Sequence, residues 1–380
     1  MIRLTRPSID EADLAAVRAV VESGQLVQGP NVAAFERAVS EYVGTRHAVA
    51  VTNCTAALQM ALLALDVRAG DIVVVAPYSW PATANVVELC GAQTVFADID
   101  PETFNLDPEA LDEVLSRLCR SSDTGRRVKA VIPVHTFGQI ADVERIVEVA
   151  TRHGVPVIED AACALGAARD GKRAGAWGVM GCLSFHPRKA VTTGEGGVIT
   201  TNDDALNRRL RALRNHGQDP ESAHPDFILP GFNNRMTEFQ GALGVTQMAK
   251  VDRVIAARRA GAARYDDLLD AAFARPGARG GEQHVFQSYV VLLPEVASRY
   301  RADFIANLRA AQVEAQIGTW HIPLVTYYRA RYGHRVGDFP VCDGVAARAV
   351  TLPLYEGLTE DEQREVANRA RDVFHALPLD

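Results

Sequence analysis

The sequence predicts an α/β protein: a larger part with a mostly parallel sheet covered by helices on both faces, then a smaller α/β unit. Two observations carry this. Short β-branched runs, His47 to Thr52, Ile72 to Ala76, Thr94 to Ala97, Lys129 to Val134 and Val155 to Ile158, alternate with longer helical stretches such as Thr55 to Leu65 and Ile140 to His153. A helical run from Met236 to Ala274 then separates these from a new set, strand-like Phe286 to Leu293 and helical Arg301 to Ala311. The expected division is residues 1–245 and 246–380. Sheets of this kind bind ligands beyond the carboxyl ends of their strands.

The elements follow in order. Ser8-x-x-Glu11 reads as a capping box, and Leu14, Val17 and Val21 repeat at helical spacing until Gly24. After a turn at Gln28-Gly29-Pro30, Phe35, Val39 and Val43 form a second helical stripe that Gly44 closes. The strand and helix alternation begins there. Two loops are long and polar, Gly217 to Pro230 and the Gly-rich Gly277 to His284. The first lies between two segments assigned below to the site, so it is read as substrate-facing or as a plain surface loop.

Of 380 residues, 48% are hydrophobic and 23% charged, which suits a sizeable globular core. Lys and Arg number 40 against 47 Asp and Glu, so the net charge of -7 offers no basic footprint for nucleic acid or an anionic membrane, and a small-molecule partner fits better. The start, MIRLTRPSID, has no apolar core of a signal peptide, and the apolar stretch His47 to Leu65 is broken by Thr52, Asn53, Thr55 and Gln59. A cytoplasmic protein with no membrane partner is expected. The six cysteines, Cys54, Cys90, Cys119, Cys163, Cys182 and Cys342, show no C-x-x-C pair or metal spacing and are read as reduced thiols, with no metal site.

Four segments carry chemistry. In the run from Leu183 to Gly197, Ser184 and Lys189 precede Gly194-Glu-Gly-Gly197. A lone loop lysine is ordinarily a solvated charge. Here a glycine turn allows close backbone approach, and a neighbouring hydroxyl suits a phosphorylated ligand. The apolar run Val155 to Ile158 leads to Asp160 and then only small residues, Ala161-Ala-Cys163-Ala, leaving space for a flat ligand; the plain alternative is a helix cap. At Val51-Thr-Asn-Cys-Thr55-Ala56-Ala57 a strand runs straight into a helix, whose first N–H groups favour an anion or simply a Thr cap. Trp80, just after a buried strand, stacks on a ring or is an ordinary core tryptophan.

In this order and spacing the four segments resemble the DegT/StrS family of sugar aminotransferases, fold type I (aspartate aminotransferase-like) enzymes dependent on pyridoxal 5'-phosphate (PLP). Gln28-Gly-Pro with Phe35-Glu36, Asp98-Ile-Asp100, Pro133-Val-His135 with Gly138-Gln139, Arg214-Asn-His216-Gly217, Gly231-Phe-Asn233-Asn-Arg235-Met236 and Leu352-Pro-Leu354 add to the match. The resemblance covers nearly the whole chain, and Ser-Phe-x-x-x-Lys with Gly-Glu-Gly-Gly is its most specific part. It implies a seven-stranded-type sheet, Lys189 in a Schiff base with PLP, and Asp160 on the pyridinium nitrogen. Trp80 stacks on the ring, Thr55, Ala56 and Ser184 hold the phosphate, and Asn233 of the partner subunit reaches it, so a homodimer with shared sites is implied. Cys163 stands where Gln or His usually contacts the phenolic oxygen, and a thiol is a poor donor there. Cys54 similarly replaces a Gly or Ser.

The implied reaction passes an amino group from an amino donor, glutamate first, through pyridoxamine phosphate to a nucleotide-linked keto sugar, with Lys189 also moving the proton. His216, Arg235, Trp320, His321 and Tyr327 are candidates for lining the acceptor site, although aromatic residues beside a proline such as Pro323 more often pack than contact a ligand. The alternatives are a keto-inositol acceptor, a PLP sugar dehydratase, in which a His replaces the lysine, and a non-catalytic regulator, for which the chain has no spare DNA-binding segment.

Overall fold

The computed structural model describes residues 1–120, 127–275, 277 and 282–379. Half of the Gly-rich stretch expected at Gly277 to His284, residues 278–281, therefore lies outside the described residues.

The five expected strands form, each within a few residues of its place in the sequence: β1 (His47–Val51), β2 (Ile72–Val75), β3 (Gln93–Phe96), β4 (Val128–Ile132) and β5 (Ile158–Asp160); β6 (Met180–Ser184) and β7 (Gly197–Thr201) extend the set on either side of the Lys189 loop. Ladders join β1 to β7, β7 to β6 and β6 to β5, and likewise β4 to β2 and β2 to β3. Parallel bridges Val131–Val157 and Val134–Asp160 connect the two groups. The result is one seven-stranded sheet in the order β1-β7-β6-β5-β4-β2-β3, in which β7 alone runs against its neighbours. β2, Ile-Val-Val-Val, is buried throughout, as a parallel strand covered on both faces must be.

Helices α1 (Glu11–Ser23), α2 (Pro30–Val43), α3 (Cys54–Ala64), α4 (Ala82–Leu89), α5 (Pro108–Arg120), α6 (Val143–Arg152) and α7 (Asp204–Arg214) accompany the sheet. Pro30 occupies the first turn of α2, and Gly44 ends it with φ 85°. The cap of α1 departs from expectation. Asp10 rather than Ser8 is the N-cap, in a reciprocal box with Asp13. The Ser8 carbonyl instead accepts from Gln247 Nε2 at 2.8 Å. Asp13 is buried because Lys250 donates to it at 2.5 Å and Gln247 at 3.0 Å, a tertiary pull that no local pattern shows.

The same lysine divides the long helical run expected from Met236 to Ala274. It is two helices, α8 (Glu238–Met248) and α9 (Val251–Leu268), and at the break between them Lys250 turns inward to Asp10 and Asp13. Beyond α9, strands β8 (Tyr289–Leu292), β9 (Gln316–Ile317) and β10 (Ala349–Leu352) form an antiparallel sheet in the order β8-β10-β9. Tyr265 of α9 packs with this sheet, together with Phe304 of α10 (Arg301–Ala310) and Phe374 of α11 (Glu360–His375). Among the described residues no helix is long and apolar enough to cross a membrane.

Strand β5 carries two carboxylates on opposite faces, as alternation requires. Glu159, fully buried, accepts from the N–H groups of Gly175, Trp177 and Gly178 at 2.8, 2.7 and 2.8 Å. His135 is fourth: its Nδ1 accepts from the Ala141 N–H, so Nε2 carries the proton and donates to Glu159 at 2.9 Å. Glu159→Ala would strand all four donors away from water. It is expected to cost about 3–5 kcal/mol of unfolding free energy, measured by urea titration; a loss below about 1 kcal/mol would contradict this account of the network.

Candidate active site

The sheet gathers its functional residues at one edge. The carboxyl ends of β1, β5 and β6 lie side by side with the start of β7: Gly197 stands opposite both Val51 and Ser184, and Asp160 opposite Cys182. Gly197 must be glycine, since a Cβ there would come within 2.4 Å of the Asn53 backbone. The glycine turn thus brings the loop carrying Lys189 directly against the start of α3.

Asp160 is 4% exposed. Thr83 Oγ1 donates to its Oδ2 at 2.7 Å and the Ala162 N–H to its Oδ1 at 3.2 Å. Among the described residues its carboxylate makes no ion pair. Burial raises the Asp160 pKa above the usual carboxylate value, while Thr83, Ala162, Lys189 and His135 offset part of the rise. Lys189 Nζ donates to Cys163 Sγ at 3.0 Å. Burial pulls the Lys189 ammonium down, but its contact with Cys163 and the nearby Asp160 carboxylate hold its pKa above the ordinary lysine value. All six cysteines are unpaired, and burial pushes the thiols of Cys54 and Cys182 well up, so both stay neutral.

Trp80 is 63% exposed, so the alternative of a core tryptophan does not hold. Its carbonyl accepts from the Thr83 N–H, and Thr83 also binds Asp160, which ties the two residues to one threonine. Thr83 escaped notice in the sequence, although a hydroxyl three residues past Trp80 was a usable signal. Trp320, 44% exposed, pairs with Ser79 and so lies beside Trp80. His321 does not line an open pocket: its side chain is 8% exposed and bound to Asp343 at 2.9 Å. Tyr327 is exposed and donates to Glu88.

At the start of α3, Asn53 is the cap, accepting the Ala56 N–H at 2.9 Å, while Thr55 is exposed on the first turn. An arriving anion must therefore displace the Asn53 side chain from Ala56 or use the N–H groups ahead of it. Asn233 is exposed, accepts from Arg235 Nε at 2.9 Å, and lies in a segment that bridges Asn215 while Arg235 bridges Val51. His216, at φ 59°, donates its N–H to Phe232 in the same crossing. The loop from Gly217 to Pro230 is exposed along nearly all its length and ends in the apolar Phe227 and Ile228.

The chain matches the model of the DegT/DnrJ/EryC1/StrS aminotransferase family over residues 7–371. The chain belongs to this family. It is 39% identical over 348 residues, 89% of each chain, to the GDP-perosamine synthase of Caulobacter vibrioides. It is 34% identical, over 90% of each chain, to the UDP-2-acetamido-2-deoxy-3-oxo-D-glucuronate aminotransferase of Pseudomonas aeruginosa. Among solved structures it superposes with a TM-score of 0.91 at 25% identity on PseC of Helicobacter pylori, an aminotransferase of pseudoaminic acid biosynthesis, covering 99% of this chain and 100% of the other. Members of this family are PLP-dependent transaminases, and so is this protein. Its residues fit that cofactor. A buried carboxylate with no ion pair among the described residues suits a protonated pyridine nitrogen; the Lys189 amine stands near it; and a helix start beside a glycine cradle suits a phosphate.

Proposed function

We propose that the protein transfers an amino group from an amino acid, glutamate first, to a nucleotide-linked keto sugar in two successive half-reactions. The observation that carries this reading is the buried Asp160 carboxylate on the same strand-end rim as the Lys189 amine, in a chain resembling enzymes named for nucleotide-sugar amination. PLP, when bound, supplies an electron sink and carries the amino group between the half-reactions. Lys189 Nζ would hold the cofactor and, as a free amine, would take up and return the proton at the substrate carbon. Asp160 keeps the proton on the ring nitrogen. The exposed Trp80 ring would stack on the cofactor, Thr55, Ser184 and the start of α3 at Ala56 would hold its phosphate, and Cys163 lies beside Lys189 Nζ.

Assembly as a homodimer completes this reading, with Asn233 of the partner subunit reaching the phosphate. Leu14 and Val21 of the α1 stripe are 54% and 61% exposed, with Leu26 and Val27 following at 44% and 48%. Such an apolar surface along α1 calls for a covering chain.

The substrate assignment is tested by supplying glutamate with GDP- or UDP-linked keto hexoses, and separately with a keto-inositol. Mass spectrometry is expected to find the carbonyl oxygen replaced by an amine in the nucleotide sugar. Amination of the keto-inositol alone would overturn the acceptor class while leaving the transaminase intact.

A further inference from the structure

A lysine that must leave and rejoin its cofactor in each cycle needs a backbone that stays still while its side chain moves. The peptide around Lys189 is held by a side chain from the far end of the chain. Gln287 Nε2 donates to the Arg188 carbonyl at 2.5 Å, and the Ala190 N–H donates to Gln287 Oε1 at 3.0 Å. One primary amide therefore grips the groups immediately before and after Lys189, as a neighbouring strand would, without touching its amine. Gln287 is 9% exposed, so water competes little for either bond.

The glutamine is itself anchored. Arg258, 1% exposed, donates Nη1 to the carbonyls of Phe286, Gln287 and Leu354 at 3.2, 3.1 and 3.2 Å. On the other side the Val285 N–H donates to the Gly138 carbonyl at 2.9 Å and the Ser288 N–H to the Phe137 carbonyl at 3.3 Å. A Cβ on Gly138 would come within 2.7 Å of the Gln287 nitrogen, so the chain passes here only over glycine. Further along the same loop the Thr192 N–H donates to Gln247 Oε1 at 3.0 Å.

We propose that Gln287 is a positioning residue for Lys189, fixing the lysine peptide so that Nζ returns to one place in each half-reaction. This rests on the reading of Lys189 as the PLP-bearing lysine. A glutamine serves because the task needs one donor and one acceptor in a single planar group.

The test uses PLP-loaded enzyme and glutamate alone, following the loss of yellow colour. Gln287→Met, similar in length but unable to grip either group, is expected to slow the saturated half-reaction by about 10²-fold, the glutamate concentration at half-saturation staying within about twofold. In the cofactor-free protein, hydrogen exchange at Ala190 is expected to quicken by about tenfold. Gln363→Met serves as the control: Gln363 is fully buried and donates to the Gly261 carbonyl at 2.9 Å, so its loss should lower stability without changing either readout. A Gln287→Met half-reaction within about twofold of wild type, or one slowed no more than Gln363→Met, overturns the proposal. Should Gln287→Met fail to fold, Gln287→Asn, too short to reach both groups, decides by the same two measurements. If wild-type enzyme loses no colour with any amino donor, it is the functional reading that fails.

Discussion

Lys189→Ala is expected to lower transamination turnover by about 10⁴-fold, because one side chain is asked both to link to the cofactor and to move the proton. Purified wild-type protein should be yellow, and borohydride should fix PLP to the peptide containing Lys189. The variant should retain neither property while remaining folded, since Nζ donates to Cys163 rather than to a backbone group. An undiminished reducible adduct in the variant would place the link on another lysine. The substitution also removes a cation that partly offsets the upward shift of the Asp160 pKa, so that carboxyl should rise further. Effects of Lys189 and Asp160 replacements should therefore be non-additive.

Asp160→Asn is expected to reduce turnover by about 10³-fold, because a neutral amide does not hold the ring nitrogen protonated. In the cofactor-free protein the same change should stabilise the fold near neutral pH. Burial raises the Asp160 pKa above its ordinary 3.8, so between 3.8 and the raised value the folded state binds more protons than the unfolded state, and stability falls as pH rises through that window. The amide carries no such cost and fits its partners: it still accepts from Ala162, and Thr83 can turn its hydroxyl to the Trp80 carbonyl. Urea unfolding of both proteins at several pH values should show the advantage of Asn shrinking towards pH 4. A variant less stable than wild type at pH 7 would contradict the electrostatic argument. Stability given up at a buried charge for the sake of turnover is a common trade at active sites.

How much of this was legible beforehand can be judged residue by residue. β2 is legible as an unbroken β-branched run, Ile-Val-Val-Val, because a strand buried on both faces leaves a local trace. The cap of α1 was misplaced by two residues: Ser8-x-x-Glu11 is a sound local pattern, but Asp13 is drawn inward by Lys250, which lies 237 positions away. The Leu14 and Val21 stripe has the right period for a helix, yet period alone does not say whether its apolar face meets a core or another chain. Motif position alone leaves Trp80 open to stacking or to core packing, and its exposure excludes the core.

The sequence by itself determined the α/β class, the family and the cofactor, since local runs record strand burial and the motifs around Lys189, Asp160 and the glycine turn carry the resemblance to the family. Only the tertiary structure decided which distant groups serve those residues. Thr83 on Asp160, Cys163 against Lys189, Asn53 as the cap of α3 and the Gln287 grip around the lysine all depend on where the folded chain crosses itself. A hydrogen bond over 99 residues leaves no periodicity in the sequence; it follows from the sheet order and the packing that brings the two segments together.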